Sequence, residues 1–132
     1  MTTHEHAETF RNPTKVGEIF IEAIKDPVAN AVALDMLVTP ESRRDWGDFQ
    51  QAHRWFASIQ NLAYGDQPKA AVGDPDVVYM SLHRDEPVSY RNIGEDIRVG
   101  PGVITLVWRP QIDRWMVHHV GDYVRPEQVP HG

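Results

Sequence analysis

The sequence contains no cysteine, and it has neither a long apolar run nor a cluster of basic residues. Without cysteine there are no disulfides, thiolate nucleophiles or zinc–thiolate sites. No apolar run approaches the about 20 residues that span a bilayer, and the first ten residues lack the basic and then apolar pattern of a secretion signal. Arg43 and Arg44 are the only adjacent basic pair, and the net charge is −6. We therefore expect a cytoplasmic protein without nucleic-acid or membrane partners.

The first half of the chain carries three helix-start signals, in which a capping side chain precedes proline: Asn12-Pro13, Asp26-Pro27 and Thr39-Pro40. The capping oxygen can accept a hydrogen bond from a free backbone N–H. Proline at the first helical position costs no hydrogen bond, because an N–H there would have no partner within the helix. The spacing predicts a first amphipathic helix over 13–25. It also predicts an Ala-rich, mostly buried second helix over 27–38. A third helical region begins at Pro40, breaks near Gly47 and restarts at Asp48.

The second half of the chain is patterned as β-strands. An almost unbroken apolar run over 103–108 and an alternating run over 115–120 flank a turn marked by Pro110 and Asp113, which predicts an antiparallel hairpin. A further strand is predicted over 77–83. Weaker candidates are 69–73, 88–93 and 97–99. Helices followed by strands indicate an α+β fold, in which three N-terminal helices pack on a curved antiparallel β-sheet.

The domain organisation follows from the same patterns. No internal repeat, linker or low-complexity segment interrupts them, so a single domain over 12–125 is predicted. Residues 1–11 and 126–132 are predicted to be flexible tails. His4 and His6 lie in the first tail without further ligands nearby, so no metal site is expected.

The order of elements and the final strand, RWMVHHVGD, resemble the nuclear transport factor 2-like superfamily, and its SnoaL-like members in particular. The resemblance covers roughly residues 13–125, and its motifs are loose. It implies a cystatin-like cone, in which the sheet wraps against the helices around a pocket, and a homodimer formed through the sheet. Superfamily enzymes include ketosteroid isomerase, limonene epoxide hydrolase and polyketide cyclases. The isomerase uses a carboxylate base and a tyrosine, but residues 13–38 contain no Tyr. We therefore assign no residue of this sequence to the isomerase tyrosine or to the Asp-Arg-Asp arrangement of the hydrolase.

Three candidate catalytic residues emerge: His118, Asp122 and Asp35. In a regular strand His118 and Asp122 share a face, where the carboxylate can orient or charge the imidazole. The alternative is a half-buried sheet histidine and a turn residue. Asp35 lies on the helix that is predicted to be buried, so its carboxylate needs a partner. That partner can be purely structural, such as Arg43 or Arg44.

Four aromatic residues are candidates for binding a ligand: Tyr79, Trp46, Trp55 and Trp108. The tyrosine can donate a hydrogen bond, and the tryptophans can form the walls of a pocket for a small apolar or aromatic ligand. The alternative is that all four are core or interface residues. The sequence has no glycine-rich phosphate loop, nucleophile elbow or HExxH motif, and no cofactor is predicted.

Two functions are therefore open. The first is a small-molecule-binding protein or cofactor-free enzyme that catalyses isomerisation, cyclisation or dehydration, with His118 as general base or acid. The second is a non-catalytic, dimeric accessory module that binds a protein partner through its sheet or its acidic surface. Asp35 and the adjacent histidines favour the first, whereas the lack of a recognisable acid–base constellation favours the second.

Overall fold

In the computed structural model, the described residues are 8–59, 62–64, 68–84 and 102–131. Helices α1 to α4 come first, at Pro13–Ala23, Ala31–Leu37, Arg43–Trp46 and Gln50–Ala57. Strands β1 to β5 follow at Leu62–Tyr64, Lys69–Ala71, Asp74–Arg84, Gly102–Arg109 and Arg114–Gly121. The strands form a strongly curled antiparallel sheet with the shape of a half-barrel, so the α+β class and the curved sheet are as predicted. Within the described ranges, no helix is both long and apolar enough to cross a bilayer.

Two helices begin beside a predicted capping side chain, α1 after Asn12 and α4 after Asp48. Asn12 accepts a hydrogen bond from the backbone N–H of Thr14 at 2.9 Å, and α1 begins at Pro13. The break near Gly47 is also confirmed, because this glycine has a φ of 58° and the next helix starts only at Gln50. Asp48 accepts from the N–H of Gln50 at 3.1 Å. Short polar side chains thus satisfy free backbone donors at the starts of α1 and α4.

The second helix differs from its prediction. Helix α2 is shorter than expected, and only Leu34 and Leu37 of its residues are buried. Val32 is 74% exposed and Met36 is 54% exposed, so the prediction of a mostly buried helix was wrong. The Ala-rich sequence carried no information about a covering partner, because alanine offers little apolar area on either face.

The sheet has the order β1-β3-β4-β5, and β2 also pairs with β3. Strands β4 and β5 form the predicted hairpin, with Trp108 directly opposite Trp115. Strand β1 was not predicted. The candidate strands over 88–93 and 97–99 lie outside the described residues.

The main core lies between the helices and the inner face of the sheet. Phe20 of α1 is fully buried there, and Phe49 and Phe56 pack with it. The sheet contributes large apolar side chains from three strands: Met80, Leu82, Ile104, Leu106 and Val117. This packing follows the alternation of β3, in which Met80 and Leu82 face the helices.

A second core lies on the outer face of the sheet, where Val129 covers residues such as Val77 and Val107. Val129 is 3% exposed, and the carbonyl of Pro130 accepts a hydrogen bond from Arg109 at 3.0 Å. The segment that was predicted as a C-terminal tail therefore packs on the sheet over its described part, 126–131. A flexible tail would leave this apolar face in water.

The chain before α1 also contacts the sheet over its described residues. The indole N–H of Trp115 donates to the carbonyl of Arg11 at 3.1 Å, and the Arg11 guanidinium donates to Asp113 in the hairpin turn. Arg11, the last residue of the predicted N-terminal tail, is thus held against β5 and its turn. His4 and His6 lie outside the described residues.

Candidate functional site

The candidate site is organised by a β-bulge in β5. Thr105 pairs with His119, whereas the next residue of β4, Leu106, pairs with Val117. His118 is therefore the extra residue of the bulge, and its backbone stands outside the regular ladder. Beyond the bulge, Val120 packs against the same inner core as Val117. The strict alternation predicted for 115–120, which placed these two valines on opposite faces, was wrong.

The chain that follows α2 runs alongside this bulge. Val38 forms a parallel bridge with Val117, and the N–H of Thr39 donates to the Val117 carbonyl at 2.9 Å. The short 3-10 turn Pro40–Ser42 follows directly. A backbone pairing thereby brings Thr39 and the residues after it to the side of His118.

A chain of hydrogen bonds beside His118 is the basis on which we assign the tautomer of its ring. The hydroxyl of Thr39 donates to Ser42 Oγ at 2.7 Å, and it also lies 3.3 Å from His118 Nδ1. With the Thr39 proton assigned to Ser42, the Thr39 oxygen is the acceptor for an imidazole N–H. The neutral ring then carries hydrogen on Nδ1, and Nε2 is left as an acceptor. Ser42 Oγ also accepts from the indole N–H of Trp46 at 3.0 Å.

Burial controls the charge of His118. Desolvation lowers the pKa of this imidazole below its ordinary 6.5, because the charged form is disfavoured in a half-buried position. The carboxylate of Glu41, 3.8 Å from Nδ1, raises that pKa, whereas His119 and Arg109 lower it. The net lowering makes His118 neutral at pH 7.

Glu41 is held in place by Arg109, which is 5% exposed and donates to both Glu41 and the Pro130 carbonyl. Burial on its own would raise the pKa of Glu41, but the hydrogen bonds from Arg109 and from backbone N–H, together with the Arg109 charge, lower it overall. Glu41 stays ionised between a buried cation and His118. It was missed by the sequence analysis, because its partners are 68 and 77 positions away and no local pattern links them.

His118 contributes to the wall of an open cleft of about 340 Å³. This His118 cleft is lined by Ser42, Asp45, Trp46, Gln51, Ala52, Trp55, His118, His119 and Val120. Trp46 stacks on Phe49 with ring centroids 5.7 Å apart, and Trp55 packs edge-on against Phe56 at 5.0 Å. Both tryptophans are therefore fixed from behind by core side chains and present preformed aromatic walls.

The structure thus brings together three of the predicted site residues, His118, Trp46 and Trp55. It places the two carboxylate candidates elsewhere. Asp122 is exposed after Gly121, which has a φ of 109° and turns the chain at the end of β5. Asp35 is exposed on α2 and forms an ion pair with Arg43, the structural partner that was one of its alternatives. The carboxylate beside His118 is Glu41.

The two other aromatic candidates also lie away from the cleft. Tyr79 is on the outer face of the sheet, where its hydroxyl donates to the Val124 carbonyl at 2.7 Å and its ring lies 4.8 Å from that of Tyr123. Burial raises the pKa of the Tyr79 phenol. Trp108 packs on Trp115, with ring centroids 5.7 Å apart. Both are consistent with the packing roles that were their alternatives.

Across the described part of the chain, no three His, Asp or Glu side chains are grouped so that they could hold a metal ion. Comparisons with protein-family models, with curated proteins and with solved structures found no match.

Proposed function

We propose that the chain is a small-molecule-binding protein that takes a planar, mostly apolar ligand into the His118 cleft and moves a proton on it. One observation carries this proposal. A neutral imidazole is held through Nδ1 by Thr39 and faces Glu41 at 3.8 Å, while its side chain lines a cleft between Trp46 and Trp55. Nε2 is then the nitrogen that remains for a ligand.

The chemistry that suits this arrangement is general acid–base catalysis without a cofactor. Nε2 of neutral His118 can accept a proton from a carbon acid or a hydroxyl, and the imidazolium that forms is stabilised by the Glu41 carboxylate. Returning the proton to another atom of the ligand gives an isomerisation, a cyclisation or a dehydration. Glu41 thus has the orienting role that the sequence analysis gave to Asp122.

The cleft dimensions limit the ligand. A volume of about 340 Å³ lies at the lower end of the roughly 300–1,000 Å³ typical of ligand pockets. One or two fused rings fit this size, and the two indoles favour a flat ligand. Asp45 and Gln51 at the wall can accept hydrogen bonds from a polar substituent.

The proposed fold family is the SnoaL-like branch of the nuclear transport factor 2-like superfamily. The curled antiparallel sheet preceded by helices supports it, as does a cleft between those helices and the last strand. Tyr79 is not a counterpart of the isomerase tyrosine, because it faces the other side of the sheet. The proposal therefore covers the fold and acid–base chemistry, and it does not extend to steroid isomerisation.

The acid–base proposal can be tested with 5-nitrobenzisoxazole, a flat probe that opens to a coloured phenolate when a base removes its ring C–H proton and the N–O bond breaks. We expect the protein to accelerate this reaction and His118→Gln to abolish the acceleration. The matched control is His131→Gln, since His131 also pairs with a carboxylate, Asp74 at 2.9 Å, but lies outside the cleft. The proposal fails if both variants retain the full rate.

The walls of the cleft need a separate test with the same probe. Trp55→Ala removes an aromatic wall, so we expect a several-fold higher KM. Trp108→Ala removes a tryptophan that is also partly exposed and packs on Trp115, and its KM should match that of the unchanged protein. Equal effects of the two substitutions would place the probe outside the His118 cleft.

The sheet-mediated homodimer remains a prediction, and with it the accessory-module alternative. Residues 124–131 cover part of the outer face through Val124 and Val129, so a second copy would have to use the remainder of the sheet. Light scattering at low concentration should give twice the chain mass of 15.1 kDa if the dimer forms. A monomer would eliminate the sheet-dimer proposal.

A further inference from the structure

The wall of the His118 cleft carries one formal negative charge, which belongs to Asp45. Of the described residues that line the cleft, Asp45 is the only carboxylate, and none is lysine or arginine. Asp45 lies exposed on α3, and within the described ranges its side chain forms no ion pair or hydrogen bond. A cleft lined by charge of one sign concentrates its field on the ligand. The cleft therefore favours a cation and disfavours an anion.

The field of Asp45 extends to His118. Its carboxylate raises the pKa of the imidazole, as that of Glu41 does. Glu41 is paired with Arg109, and the arginine lowers the same pKa, so these two charges act in opposite directions. Asp45 has no such counter-charge among the described residues of the wall. A positive charge bound beside His118 is therefore stabilised by Asp45.

The aromatic walls favour a cation for a second reason. Trp46 and Trp55 both line the cleft and are partly exposed. The face of an aromatic ring carries negative potential, and tryptophan attracts cations more strongly than tyrosine or phenylalanine. A flat ligand packs on an indole through its apolar area, and a positive charge spread over that ligand adds cation–π attraction. Packing and electrostatics thus select the same kind of ligand.

We propose that the His118 cleft is specific for a planar organic cation, such as an N-alkylated aromatic ring system. The positive charge is stabilised by Asp45, and the rings of the ligand pack on Trp46 and Trp55. This inference rests on the proposed function for the position of the site, and it names the class of ligand that the site takes.

A cationic ligand also matches the strength of the base. Burial lowers the pKa of His118, so this imidazole is a weak base and needs a comparatively acidic C–H group. A positive charge on the ligand acidifies the adjacent C–H. When Nε2 takes that proton, the electron pair of the C–H bond stays on the ligand and neutralises it, and the positive charge passes to the imidazole. The Glu41 carboxylate, 3.8 Å from Nδ1, then faces that charge.

The test compares three compounds with two fused rings by calorimetric titration and amide NMR shifts at pH 7.5. N-Methylquinolinium is a cation, 1-methylnaphthalene is its uncharged isostere, and 1-naphthoate is an anion. We expect the cation to bind at least about tenfold more tightly than the anion, because Asp45 attracts one and repels the other. A rise in salt concentration should weaken binding of the cation more than that of the uncharged compound.

Asp45→Asn keeps the shape of the wall and removes its charge. This substitution should lower the affinity for N-methylquinolinium at least about threefold and leave that for 1-methylnaphthalene unchanged. Asp45 is exposed, so the fold is retained. The matched control is Glu127→Gln, which removes one exposed negative charge outside the cleft and should leave both affinities unchanged.

The inference is overturned if 1-naphthoate binds as tightly as N-methylquinolinium, if the cation does not bind at millimolar concentration, or if Asp45→Asn binds the cation as the unchanged protein does. These outcomes are distinct from failure of the proposed function. A protein that opens 5-nitrobenzisoxazole through His118 but does not prefer the cation refutes cation specificity alone. A protein that prefers the cation through Asp45 without accelerating that reaction refutes the proton transfer alone.

Discussion

His118 Nδ1 lies 3.3 Å from the hydroxyl oxygen of Thr39, a residue 79 positions earlier in the chain. Two features of the backbone make this contact possible. The bulge releases His118 from the β4–β5 ladder, and the bridge between Val38 and Val117 brings the chain after α2 to the edge of β5. The imidazole is thereby oriented through one nitrogen, which leaves the other for a ligand.

The first prediction concerns the charge balance at His118. Glu41 raises the pKa of the imidazole, whereas burial lowers it more strongly. Glu41→Gln removes the opposing carboxylate, so the pKa of His118 should fall still further below 6.5. NMR titration of the histidine side chains measures this directly. A pKa that stays the same or rises in the variant would show that Glu41 does not act on His118.

The second prediction concerns the stability of the Arg109–Glu41 ion pair. Arg109 is buried, so Glu41→Gln leaves an unpaired cation in the core. Because the Glu41 side chain is 32% exposed, we expect a loss of about 1–3 kcal/mol in the free energy of unfolding, less than for a fully buried pair. The control is Glu127→Gln. Its pair with Arg125 is exposed and spans 3.9 Å, so the change should stay within about 0.5 kcal/mol. Both free energies are measured by urea unfolding. If Glu41→Gln and Glu127→Gln lower the free energy of unfolding by similar amounts, the prediction is wrong.

The third prediction follows from the lowered pKa of His118. As pH falls, the unfolded chain takes up the His118 proton near 6.5, before the folded chain does. Stability is therefore lost as pH falls from 6.5 towards the folded pKa, and the loss is complete below it. The free energy of unfolding of His118→Gln should depend less on pH in this window, because the variant lacks the imidazole and carboxylates titrate at lower pH. Urea unfolding at pH 7.5 and 5.5 measures the stability of the unchanged protein and of His118→Gln. An identical pH dependence of the two proteins would contradict the prediction.

The fourth prediction concerns the C-terminal segment. Val129 is 3% exposed against the outer face of the sheet, whereas Val72 is 98% exposed in a turn. Val129→Ala should reduce the free energy of unfolding by about 1–2 kcal/mol, the value for two buried methyl groups. Val72→Ala should change it by less than about 0.5 kcal/mol. If the two substitutions are equivalent in thermal unfolding, residues 126–131 do not pack on the sheet in solution.

Local signals predicted the parts of the fold that local chemistry determines. The β4–β5 hairpin followed from its alternating and β-branched residues around a turn, and the start of α1 followed from Asn12 and Pro13. The burial of α2 could not be predicted in this way. It depends on which elements lie opposite the helix, and an Ala-rich sequence does not specify them.

The site was only partly predictable for a related reason. His118, Trp46 and Trp55 were identified by residue type, since histidine and tryptophan are suited to proton transfer and ring binding. The role of Glu41 depends on the bulge and on a long-range pairing, neither of which leaves a pattern near position 41. Asp122 was chosen because a regular strand was assumed, and the bulge removes that regularity.

The central claim is that His118 is neutral at pH 7, with hydrogen on Nδ1 and an unprotonated Nε2 available to the cleft. The ¹⁵N shifts of the imidazole nitrogens, recorded by long-range NMR correlation with His118→Gln to assign them, measure this most directly. We predict a protonated Nδ1 and an unprotonated Nε2 at pH 7, and a shift of the Nε2 resonance when 5-nitrobenzisoxazole is added. A charged ring at pH 7, or hydrogen on Nε2 with a free Nδ1, would contradict the claim.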